Sequence, residues 1–120
     1  MLRVLSVVCC VVNTTAGLAI ALTRGGLLGQ LGVPPPGPFY GDLIALFLVG
    51  SGIGFIPAVL NPQQQRHYLW TFGVGVKLVA ATLFARLWLS GLTGWMVGVL
   101  AVADGALAAL VLVALLKPAK

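Results

Sequence analysis

Four apolar runs set the pattern of this chain, and each is about as long as a bilayer is thick. They extend from Leu2 to Leu22, Gly41 to Leu60, Tyr68 to Leu89 and Trp95 to Leu116. A transmembrane helix needs about 20 largely apolar residues. In hydrocarbon a helix also satisfies every backbone group within its own segment. The pattern therefore predicts an all-α fold, a polytopic integral membrane protein whose four transmembrane helices form an antiparallel bundle. Little chain is left over, so residues 1–120 are read as a single membrane domain.

The breaks between the runs differ in kind. Residues 23–39 carry Gly25, Gly26, Gly29 and Gly32 before Pro34-Pro35-Pro36-Gly37-Pro38. Successive prolines lack amide donors and hold an extended backbone, so a long loop is predicted there. Pro57 should kink or end the second helix. The polar segment from Asn61 to His67 is short enough to force an antiparallel hairpin. Ser90 to Gly94 reads as a tight turn. The first run opens with Arg3 and has Ala16 and Ala19 near its end, a signal-peptide shape; the expectation is that it is retained as the first transmembrane helix. Tyr40, Trp70, Trp88 and Arg86 lie near run ends, where amphipathic side chains anchor at the membrane interface.

Composition removes other fold classes. Hydrophobic residues make up 60% of the chain and charged residues 8%, against about 25% charged in a soluble domain. Seven Lys and Arg face only Asp42 and Asp104, giving a net charge of +5. The basic residues are scattered singly rather than gathered with aromatics, which excludes a nucleic-acid surface. Arg3, Arg66, Lys117 and Lys120 share one side of a four-span topology, with Arg24 and Arg86 on the other. Positive charge favours the cytoplasmic side, so both termini are expected there. Cys9 and Cys10 are adjacent, about 100° apart on a helix, and cannot pair with each other. No metal-ligand spacing occurs. His67 is the only histidine, which excludes bis-histidine haem ligation within the chain.

Charged and amide groups inside the runs stand out, because polar groups in hydrocarbon are costly. Counted along ideal helices, Lys77, Asn13 and Asp104 lie at depths of about 13, 16 and 18 Å from one face. Each shares its side of the helix with small residues: Gly73 and Ala80 beside Lys77, Ala101 and Ala108 beside Asp104, Ala16 and Gly17 beside Asn13. Small residues mark contacts between transmembrane helices. A buried polar cluster of Asn13, Lys77 and Asp104 is therefore predicted. It is either an ion pair that fixes helix register or a relay or headgroup site. Arg86 lies about 180° from Lys77 around the helix and should snorkel to the far interface or meet Asp42. Gly50 with Gly54, and Gly94 with Gly98, have the GxxxG spacing that lets helices or partner subunits approach closely.

The segment from Tyr40 to Leu116 resembles the small four-helix bacterial inner-membrane proteins grouped as DoxX-like. The resemblance is carried by Gly50-Ser51-Gly52-Ile53-Gly54-Phe55, Asn61-Pro62, Gly75-Val76-Lys77-Leu78 and Ala103-Asp104-Gly105-Ala106-Leu107. It implies a four-helix bundle with Lys77 and Asp104 in characteristic positions, and no defined reaction. Small multidrug-resistance transporters share the size, but the membrane glutamate expected of them has no counterpart in a chain without glutamate.

Two functional expectations follow. The first is a non-catalytic accessory or scaffold subunit of a larger complex in the bacterial inner membrane, in contact with lipid and other transmembrane subunits. It requires no cofactor, although lipid, quinone or pigment can lie on the outer helix faces. The second is a small homo-oligomeric transporter or channel using Lys77 and Asp104. A water-accessible path that reaches both residues would favour transport, and a dry, closed cluster the accessory role. No nucleophile–base pair or metal set points to an enzyme.

Overall fold

The computed structural model describes residues 1–23, 29–30, 32 and 38–117, without the side chains of residues 38 and 39. Most of the described residues are helical, and they include no strand. In chain order the elements are α1 (Leu2–Leu22), α2 (Pro38–Gly54), α3 (Ile56–Leu60), α4 (Arg66–Tyr68), a π-helical segment (Leu69–Gly75), α5 (Val76–Leu89) and α6 (Trp95–Leu116). They join into four spans long and apolar enough to cross a membrane: Leu2–Leu22, Tyr40–Leu60, Arg66–Leu89 and Trp95–Leu116.

Proline chemistry sets both ends of the second span. The stretch 33–37 of the expected loop lies outside the described residues. Pro38, read from sequence as part of that loop, instead opens α2. A first helical position has no amide bond to lose, and the fixed proline φ already suits a helix. Pro57 lacks the amide that Ile53 would accept from, and its ring crowds that carbonyl. The helix breaks at Phe55, whose amide turns back to the Gly52 carbonyl at 3.1 Å, and resumes as α3.

The third span closes with a Schellman motif. The Leu92 amide bonds to the Leu87 carbonyl at 3.1 Å, and the Gly91 amide to the Trp88 carbonyl at 3.0 Å. Gly91 has φ +76°, a left-handed conformation in which a Cβ would be strained. The start of the same span departs from a plain α-helix. Its π segment bonds across five residues instead of four and sets the rotation with which Lys77 enters α5.

The four spans form two tightly packed pairs joined through α1 and α6. In the first pair α1 lies against α2: a Cβ on Gly17 would sit 2.8 Å from the Val49 amide nitrogen and 2.9 Å from the Ala45 carbonyl. Gly52 is as close to Thr14, with a Cβ-to-amide distance of 2.7 Å. In the second pair the π segment and α5 lie along α6, with Gly73 against Val111 and Gly98 against the Trp88 ring. The second and third spans meet through rings near the hairpin. Tyr68 stacks on Phe72 at 4.6 Å and meets Phe55 edge-on at 4.9 Å.

Those rings belong to a core at the hairpin end, where Leu5, Cys9, Phe55, Leu69, Val111 and Leu115 pack together. Two arginines bind the same end. Arg3 donates from Nε to the Val59 carbonyl at 2.9 Å, and Arg66 donates to the Leu115 carbonyl. The last carbonyls of a helix have no partner within it and carry the negative end of its dipole. Arg3 thus caps the second span and Arg66 the fourth.

Candidate functional site

At mid-depth one polar chain crosses all four spans. The Ser51 hydroxyl donates to the Leu48 carbonyl at 3.1 Å. Asn13 Nδ2 donates to Ser51 Oγ at 3.2 Å, and Lys77 Nζ donates to Asn13 Oδ1 at 3.2 Å. Lys77 Nζ also lies 3.5 Å from Asp104 Oδ1. The second, first, third and fourth spans are therefore linked in that order. In apolar surroundings each of these groups needs its partner, since an unpaired buried polar group costs several kcal/mol.

The local fold explains the convergence. Gly17 and Gly52 bring the first two backbones close enough for the short Asn13 and Ser51 side chains to meet. Asp104 stands where Gly105 and Ala81 let α5 and α6 approach, with a Cβ on Gly105 only 3.7 Å from that of Ala81. The flexible lysine stem then bridges the two pairs of spans.

A cavity of about 500 Å³ opens onto this chain. Leu43, Ile44, Phe47 and Leu48 of α2 form one wall, and Phe72, Val76, Ala80 and Phe84 the other. Asn13, Lys77 and Asp104 lie at its base. The cavity exists because the second and third spans converge at the ring cluster and pack on different partners above it. Leu43, Ile44 and Phe47 are exposed, so the cavity opens on the outer surface of the bundle. The volume lies within the roughly 300–1,000 Å³ of small-molecule sites, which are typically apolar with a few convergent polar groups.

Other candidates from the sequence lie elsewhere. Arg86 and Asp42 are both exposed, and among the described residues the one ion pair is Lys77–Asp104. Of the two alternatives for Arg86, the meeting with Asp42 does not occur; Arg86 is exposed near the end of its span and lines a shallow groove over Ala81, Ala85 and Val102. Gly54 packs on the Tyr68 ring and Gly98 on the Trp88 ring, while a Cβ on Gly50 would meet nothing within 4 Å. Gly94 is the N-cap of α6. Tyr40, Trp70 and Trp88 are exposed at span ends. Tyr68, at the start of the third span, points inward and donates to the Ser51 carbonyl.

Ser51 is the site residue that sequence reasoning missed. Its signal was its position between Gly50 and Gly52 inside an apolar run, which read as packing alone. Among the described residues no group of His, Cys, Asp or Glu could hold a metal ion. No protein-family model, curated protein or solved structure matches the chain.

Proposed function

We propose that the chain is a small membrane carrier that takes a lipophilic ligand from the bilayer and holds it against Lys77 and Asp104. One observation carries this reading: the cavity between the second and third spans reaches the ion pair from the outer surface of the bundle. A pair that served only to fix helix register would need no cavity at its base, and a cavity costs packing contacts. The reading is one of binding and transport rather than catalysis. The bacterial inner membrane as location, with cytoplasmic termini, is part of the same proposal. It rests on the resemblance to DoxX-like proteins and on the distribution of basic residues.

Photolabelling tests it. A diazirine-bearing lipophile, activated in native membranes, should attach mainly to the cavity walls, at Phe47, Phe72 or Phe84. Filling the cavity with Ala80→Phe should suppress that labelling. Even labelling of every lipid-facing surface, unchanged by Ala80→Phe, would overturn the carrier reading.

The accessory-subunit reading is favoured by Gly50. It lies on an exposed face of α2 with open space beside it, and a bare backbone admits close approach by a partner helix. Gly50→Leu should then release a copurifying membrane partner and leave the monomer folded.

A further inference from the structure

The hydrogen-bond inventory at the base of the cavity says what kind of head group it accepts. The Lys77 ammonium has three donors. Asn13 Oδ1 and Asp104 Oδ1 take two of them, which leaves one. Asp104 Oδ2 has no partner among the described residues. Both residues line the cavity, and the lysine side chain is 5% exposed and the aspartate side chain 21%, so the carboxylate is the more accessible of the two. A ligand thus finds an open acceptor with one spare donor behind it, at a site whose charges sum to zero.

We infer, on the basis of the carrier reading, that the ligand is a neutral lipophile bearing a hydroxyl or phenol at its polar end. A hydroxyl both donates and accepts, so it can give its proton to Asp104 Oδ2 while accepting from Lys77. A carboxylate or phosphate would bring a second negative charge beside Asp104, and an amine would bring a second cation beside Lys77. Like charges repel strongly in a low-dielectric interior. A plain hydrocarbon would leave both polar groups unmatched. The aromatic walls at Phe47, Phe72 and Phe84 accept an isoprenoid or ring segment, and the open mouth lets the rest of the chain run into the bilayer.

The test is competition against the photolabel in membranes, using one chain with four ends: farnesol, its carboxylic acid, its amine and the matched hydrocarbon. Farnesol should displace the label at about tenfold lower concentration than the other three. The double variant Lys77→Met with Asp104→Leu should level farnesol with the hydrocarbon. Equal displacement by all four on the unaltered protein would overturn the head-group inference and leave the carrier reading intact. Stronger displacement by the acid or the amine would overturn it in favour of a charged ligand. Absence of displacement by any of them, with label spread evenly over the surface, would overturn the carrier reading itself.

Discussion

Lys77 and Asp104 hold each other in place, and each is a liability without the other. Continuum arguments and experiment agree that a buried pair adds little net stability, whereas a lone buried charge is costly, about 3–5 kcal/mol. Asp104→Asn should therefore lower thermal stability in mild detergent by about that amount. Adding Lys77→Met should recover much of the loss, because no charge is then stranded. A double variant less stable than either single variant would show that the pair is strongly stabilising. Asn13 differs in that it joins Lys77 to Ser51 without a charge of its own. Interhelical hydrogen bonds in membranes average about 0.6 kcal/mol, so Asn13→Leu should cost about 1–2 kcal/mol across its two bonds. Thermal unfolding of the purified protein reads both cases. A cost for Asn13→Leu equal to that for Asp104→Asn would mean that the chain fails as a unit.

At the scale of elements, glycine spacing was a good guide to close packing and a poor guide to which glycines make it. The GxxxG pair Gly50 and Gly54 is easily read, yet Gly50 faces open space while Gly17 and Gly52 carry the contact between α1 and α2. Gly17→Leu or Gly52→Leu should separate that pair and abolish a folded monomer, whereas Gly50→Leu should leave it folded. Size-exclusion profiles and circular dichroism of the three variants decide the matter, and an unfolded Gly50→Leu would refute the assignment. The four spans were legible because hydropathy and length dictate them. The common depth of Asn13, Lys77 and Asp104 was legible because rise along a helix is a matter of counting. The π segment and the inward turn of Tyr68 were not, because both depend on neighbours that a single run does not contain. Pro38 was misjudged for a local reason: the proline run argued against helix, while its last member occupies a position where proline starts one. The cavity left no signal in the sequence, since its wall residues are as apolar as those that face lipid.

At the scale of the molecule, the two ends of the bundle are unlike. The hairpin end is sealed by the aromatic and aliphatic core and by Arg3 and Arg66 on helix carbonyls, while the cavity opens above the ring cluster toward the other end. Arg3 and Arg66 thus act as helix caps, and in the proposed topology they also belong to the positive charge that would hold this end in the cytoplasm. The orientation has a direct consequence for the proposed carrier, because it decides in which half of the bilayer the cavity lies. With the termini and the hairpin in the cytoplasm, the wall residues Leu43, Ile44 and Phe84 fall in the outer half of the bilayer. Leu92 in the exposed turn after α5, and Gln64 in the hairpin, report the two sides. A membrane-impermeant maleimide should label Leu92→Cys in intact cells. It should label Gln64→Cys only after permeabilisation. Cys9 and Cys10 lie within α1 and serve as the unreactive background. The reverse labelling would turn the molecule over and place the cavity in the inner half of the bilayer.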